Sequence, residues 1–141
     1  MLNEVLKDDL GRYICVKGRV GDRTYTLANL YMPNRNQGQL LKSAMGTIRG
    51  FTEGCLIMGG NLNVTLDPSL DTSSGTPHHI INSIHTCLWE HRLIDCWRAK
   101  YLEDRDYIFF SIPNQTYSRL DYFLPHYFLT DLKKAHIGTA T

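Results

Sequence analysis

Four apolar residues in a row, Cys55-Leu56-Ile57-Met58, end abruptly at Gly59-Gly60. A run that short and without polar alternation reads as a strand covered on both faces, so the chain has to place a layer on either side of it. The paired glycines mark a point where other backbone or a ligand approaches closely. This one segment commits the chain to a layered domain built around a buried strand.

The flanking sequence supplies the layers. Residues 12–18 (RYICVKG) and 23–32 (RTYTLANLYM) are rich in Tyr, Val, Ile and Thr, and Gly21-Asp22 between them is a two-residue hairpin turn. Pro33-Asn34 closes the second of these strands. Leu41, Ala44, Met45, Ile48 and Phe51 recur at helical spacing between Gly38 and Thr52. Residues 65–77 form a loop by their Asp, Ser, Thr, Gly and Pro content. Thr76-Pro77 opens a second helix with Ile80, Ile81, Ile84, Leu88 and Trp89 on its apolar stripe. Leu93–Trp97, Tyr107–Ile112 and Leu120–Leu124 read as extended, and Asn3–Asp9 as a helix or loop leading into the hairpin. The sum is a mixed α/β chain with mostly antiparallel strands and two substantial helices.

Size and composition narrow the class. A chain of 141 residues holds one domain, and 43% hydrophobic with 21% charged residues is a globular composition, not a disordered one. The net charge of +1 offers no basic surplus, although a nuclease can gather its cations on one face. Cys15, Cys55, Cys87 and Cys96 form no Cys-x-x-Cys pair and read as buried free thiols. No apolar run approaches the ~20 residues that span a bilayer, and the first residues carry acids where a signal peptide carries bases. The expectation is an intracellular chain with no membrane partner. His78, His79, His85 and His91 read as solvated helix residues, so no metal ligands are assigned; Asp67 and Asp71 read as caps.

Chemistry concentrates in three places. Asn61 and Asn63 follow the glycines at i and i+2, which on a strand puts both amides on one face, placed to grip a phosphate or a water. The same residues also make an ordinary turn. Asn29-Leu30-Tyr31-Met32-Pro33-Asn34 ends a strand with a phenol and two amides. Ser118-Arg119-Leu120-Asp121-Tyr122-Phe123-Leu124 embeds a carboxylate in an apolar strand, which is costly unless Asp121 has a specific partner.

In order and spacing these segments resemble the endonuclease/exonuclease/phosphatase superfamily, which includes the apurinic endonucleases. Its members carry an Asn-x-Tyr-x-Pro-like strand, a Gly-Asp-Phe/Leu-Asn strand end, an Arg-Leu/Ile-Asp-Tyr strand and a terminal Ser-Asp-His. The likeness is strongest to the endonuclease domain of LINE-type retrotransposons, through Asp95-Cys96-Trp97-Arg98, Tyr107–Ser111 and Thr116-Tyr117-Ser118. The resemblance implies an α/β (α+β), DNase I-like fold over 1–141: an incomplete four-layer αββα sandwich of two mixed, mostly antiparallel sheets. It implies that the opening strand and the terminal Ser-Asp-His strand lie outside the chain. It further implies a Mg2+-dependent DNA endonuclease that nicks target DNA for retrotransposition. DNA would be its partner, a reverse transcriptase part of the same polyprotein, and the nucleus its place of action.

Residue by residue, Tyr31 matches the tyrosine at the scissile phosphate or metal site, Asn63 the amide that holds the phosphate, and Asp121 the carboxylate that orients the catalytic histidine. Asn34 and Arg119 match contacts to the DNA backbone or to neighbouring site residues. The Ile112–Tyr117 loop, with Thr116, Tyr117 and Ser118, matches a hairpin that probes the minor groove. Asn61 departs from the pattern, standing where the family has an aspartate that orients or deprotonates the attacking water. A neutral amide accepts no proton near pH 7, and loss of a general base removes a factor on the order of 10²–10⁴. With no match to the family's metal glutamate or histidine, catalysis is expected to be impaired. The alternatives are a non-catalytic DNA- or protein-binding module and a phosphodiesterase with a non-DNA substrate.

Overall fold

The structure, a computed structural model, describes residues 2–73, 82–113 and 115–126. Its strands are β1 (Leu2–Lys7), β2 (Tyr13–Val20), β3 (Arg23–Tyr31), β4 (Cys55–Asn61), β5 (Phe109–Ser111), β6 (Thr116–Ser118) and β7 (Asp121–Pro125). The helices are α1 (Gln37–Phe51), α2 (Pro68–Asp71), α3 (Asn82–Glu90) and α4 (Cys96–Lys100). Five strands form one mixed sheet in the order β1-β2-β3-β4-β7, and β5-β6 is a separate two-stranded sheet.

The β2–β3 hairpin forms where the alternation and Gly21 place it. Val20 pairs with Arg23, and Gly21 takes φ 64, a conformation that costs glycine little. β3 and β4 are parallel, so the chain crosses over between them through α1. Leu41, Ala44, Met45 and Ile48 of α1 are buried on one stripe. They meet the sheet face that carries Cys15, Ala28, Leu30, Leu56, Met58 and Leu124, with Ile84, Cys87 and Leu88 of α3 in the same core. Each fully buried side chain of this kind contributes ~1.5–3 kcal/mol. Among the described residues no helix is long and apolar enough to cross a membrane.

Several expectations are corrected. Residues 3–7 are neither helix nor loop but part of edge strand β1, antiparallel to β2 with Val5 opposite Val16. Pairing with an already formed hairpin decides the conformation there. Leu93–Trp97 is not a strand, because the Asp95 side chain accepts the Arg98 N–H at 3.2 Å and starts α4. The Cys55–Met58 run is buried through Leu56 and Met58 only. On its other face Ile57 is half-buried, opposite Leu27, which is 47% exposed. Trp89 falls outside the buried arc of α3 and is exposed. The four thiols are free as expected, three buried and Cys55 half-buried, and burial pushes Cys15 up to about 11. His85 and His91 are not merely solvated, each ring binding a backbone carbonyl, of Leu66 at 2.6 Å and Cys87 at 2.8 Å. His78, His79, Tyr127 and the Thr76–Ile81 start of the second helix lie outside the described residues.

Candidate active-site row

Strand register brings together three residues from distant parts of the sequence. Tyr31 at the end of β3 lies opposite Asn61 at the end of β4, and Asn61 lies opposite Asp121 at the start of β7. Their neighbours Leu30 and Tyr122 turn into the core, so by strand alternation the three share the open face of the sheet. The row continues across β3 to Arg12, whose carbonyl accepts the Tyr31 N–H at 2.7 Å. With strands ~4.8 Å apart, Arg12–Tyr31–Asn61–Asp121 spans ~14 Å across the sheet end.

Arg12 was not singled out from the sequence. Its signal is Asp8, four residues earlier across a tight turn. The carboxylate accepts from Arg12 Nε at 2.6 Å, from a terminal guanidinium nitrogen at 3.1 Å and from the backbone N–H at 3.0 Å. The guanidinium is thereby fixed, and its hydrogen bonds hold the Asp8 carboxyl below the usual carboxylate range.

Asn61 and Asn63 do not share a strand face. β4 ends at Asn61, the Leu62 N–H donates to the Leu120 carbonyl at 3.0 Å, and Asn63 turns back with φ 52. The Asn61 side-chain oxygen accepts the Asn63 N–H at 2.8 Å, and the Asn63 side-chain amide donates to the Met32 carbonyl. The Gln37 side chain donates to the Asn63 carbonyl at 3.2 Å. Backbone geometry therefore follows the turn reading. Asn61 retains its NH2 as a donor toward the open face, while one lone pair of its oxygen is taken by the Asn63 N–H.

The acids exchange the roles expected of them. Asp121 is exposed, and among the described residues nothing hydrogen-bonds its carboxylate; facing open space, it needs no partner. Partial desolvation by the surrounding chain raises its pKa above the ordinary carboxylate value. The buried acid is Asp71, which is no simple cap: its carboxylate accepts from Arg119 Nε at 2.9 Å, from Arg98 at 2.5 Å and from the Asp67 N–H at 3.0 Å. Arg119 also binds Asp95 at 2.5 Å and 3.0 Å, and its guanidinium lies 4.8 Å from the Trp97 ring centroid and 4.7 Å from that of Tyr122. Being 2% exposed, Arg119 is not on the surface to meet DNA. It anchors the chain entering β7 instead. Its N–H donates to the Asp71 carbonyl at 2.9 Å, and the Tyr122 hydroxyl, 2.8 Å from the carbonyls of Arg119 and Val64, accepts the Leu66 N–H at 2.9 Å.

Asn34 is exposed in the β3–α1 connection. Thr116, Tyr117 and Ser118 form β6, away from the row, and Tyr117 is exposed with its ring 4.6 Å from Phe110. Its N–H donates to Ser73 Oγ at 2.8 Å, which ties the hairpin to the loop after α2.

The donor set does not make a magnesium site by itself. Among the described residues no three His, Cys, Asp or Glu side chains gather around a common point. Asp121 is the single carboxylate in the row, the Asn61 oxygen already accepts the Asn63 N–H, and a hard octahedral cation needs more oxygen donors than these two. Glu4 lies on β1 about five residue steps down the sheet, ~17 Å away, paired with Lys17 at 3.3 Å.

No protein-family model matches the chain. The fold, in contrast, has clear counterparts. It resembles a 3′ phosphatase, NExo, from Neisseria bound to product DNA hairpin, with TM-score 0.71 and 16% identity over 92% of this chain and 60% of that one. It resembles the endonuclease domain of TRAS1, a telomere-specific non-LTR retrotransposon, with TM-score 0.64 and 19% identity over 93% and 58%. It also resembles the AP endonuclease LMAP from Leishmania major, with TM-score 0.62 and 15% identity over 85% and 47%. The fold is therefore the DNase I-like mixed α/β fold that these structures share. The chain spans about half to three fifths of the length of these structures.

Proposed function

We propose that the Arg12–Tyr31–Asn61–Asp121 row is the phosphate-gripping end of a DNA endonuclease-type domain whose hydrolytic step is impaired as the sequence stands. One observation carries this reading: an amide, not a carboxylate, occupies the centre of the row, and its oxygen is already bonded to the Asn63 N–H. Tyr31, Arg12 and the Asn61 NH2 can donate to phosphate oxygens. The Asn61 amide itself cannot take a proton from water in the way a general base does, and the row's one carboxylate, Asp121, stands a strand away across the β4–β7 pair. The row keeps contacts that position a phosphodiester and lacks the part that activates the nucleophile.

The DNA-acting neighbours support DNA as the partner. The intact activity of this kind is Mg2+-dependent nicking of target DNA for retrotransposition. On this reading, residues 1–141 are part of a larger domain in a longer polypeptide with a reverse-transcriptase part, and the place of action is the nucleus. The occupied amide and single carboxylate equally favour a second reading, a DNA-binding module that retains the groove and performs no chemistry.

Fluorescence anisotropy with a labelled 20-base-pair duplex tests the shared core of both. The expected result is binding whose logarithm falls linearly with log salt, with a slope of about −0.9 for each phosphate contacted. No binding at low salt, or binding indifferent to salt, rejects the assignment.

A further inference from the structure

Beside Tyr31, on the same open face, the sheet end carries a cleft of about 250 Å³ lined by Lys7, Asp8, Arg12, Tyr13, Asn29 and Tyr31 together with Gly11 and Ile14. It shares Arg12 and Tyr31 with the row and extends outward from them to β1, since Lys7 of β1 pairs with Ile14 of β2, and Ile14 with Asn29 of β3. Its charge is arranged asymmetrically. The Asp8 side chain is 9% exposed and tucked under Arg12, whose own is 28% exposed. The two neutralise each other, and the second terminal nitrogen of Arg12 has no partner among the described residues. Lys7 is exposed and has no ion-pair partner among them either, so the cleft retains one uncompensated cation.

The cleft has room for a phosphodiester group with several waters. Distance selects its source. Lys7 stands two strand spacings across the sheet and two residues along it from Tyr31, ~12 Å, within reach of a few nucleotides of one duplex strand, each rising ~3.4 Å along the axis. The Arg12 guanidinium held by Asp8, the exposed Lys7 ammonium and the Tyr31 phenol form a donor set suited to an anionic oxygen.

We propose that this cleft is a second phosphodiester-binding subsite, in which Lys7 and Arg12 hold a backbone phosphate flanking the one at Tyr31 and Asn61. The proposal rests on the nucleic-acid reading above. Lys7 supplies the net charge and Arg12, fixed by Asp8, supplies the direction.

The test compares salt-dependent binding of a labelled 20-base-pair duplex by the native chain, Lys7→Gln, Arg12→Gln and the control Lys42→Gln, on the exposed side of α1. The expected result is that Lys7→Gln lowers the magnitude of the salt slope by about 0.9, or about threefold in affinity lost per fourfold change in salt. Lys42→Gln leaves the slope unchanged. Arg12→Gln weakens binding at least as much as Lys7→Gln, with circular dichroism confirming the native fold. Native binding with an unchanged Lys7→Gln slope, or equal slope losses for Lys7→Gln and Lys42→Gln, overturns the subsite while leaving the proposed function standing. Absence of duplex binding by the native chain overturns both.

Discussion

Replacing Arg119 with alanine is expected to destabilise the chain by about 3–5 kcal/mol, the range for removing one partner of a buried ion pair. Asp71 is fully buried and Asp95 half-buried, with Arg119 between them. Arg98 pairs with Asp71 at 2.5 Å but does not reach Asp95 in Arg119's place. The alanine variant therefore strands carboxylate charge beneath Trp97 and Tyr122 and removes both ring contacts. Arg119→Lys is expected to rescue only part of this, because an ammonium cannot bond two carboxylates through a planar fork. Urea denaturation reads the loss as a fall in midpoint of roughly 1–5 M at the slopes usual for small domains. A loss below about 1 kcal/mol would place the network in the class of solvated surface pairs.

The second large effect joins fold to site. Gly60 has φ 118, and a Cβ there would lie 2.1 Å from the Leu30 carbonyl oxygen, 2.7 Å from Asn29 Oδ1 and 2.9 Å from the Leu30 nitrogen. Two of those atoms are backbone of the paired strand, so the contact is not relieved by a side-chain rotation. Strained backbone costs ~1–3 kcal/mol and overpacking a similar amount, which gives about 2–6 kcal/mol for Gly60→Ala. Any relaxation must push β4 from β3 immediately before Asn61, so duplex affinity should fall together with stability. Gly59→Ala is the contrast. Its Cβ would approach only the Tyr122 carbonyl, at 3.1 Å, without positive φ, and a smaller loss is expected. If Gly60→Ala melts like the native chain and binds duplex equally well, the close approach of β3 to β4 does not hold the row.

Much of this architecture was legible because its causes are local. The β2–β3 hairpin follows from alternation and Gly21, α1 from a 3.6-residue stripe, and β4 from an apolar run with a glycine stop. Three short segments in a recognisable order led to the superfamily fold, and β-sheet register then brought Tyr31, Asn61 and Asp121 into one row. What failed to show depends on contacts made at long range. β1 has no alternation of its own and becomes a strand only by pairing with β2. Asp71 and Arg119 are 48 residues apart, and nothing near either reveals that they meet. The apolar company of Asp121 in sequence pointed to a buried acid, whereas β7 turns Tyr122 and Leu124 inward and Asp121 outward. Arg12 was passed over because its value to the site comes from standing opposite Tyr31 across a strand pair.

The most direct measurement is nicking of supercoiled plasmid by the native chain in magnesium, with EDTA as the control and duplex binding followed in parallel. The expected result is salt-dependent binding with no nicking above background. Nicking that requires magnesium and stops with EDTA would contradict an impaired site and show that the row activates water despite the amide at Asn61.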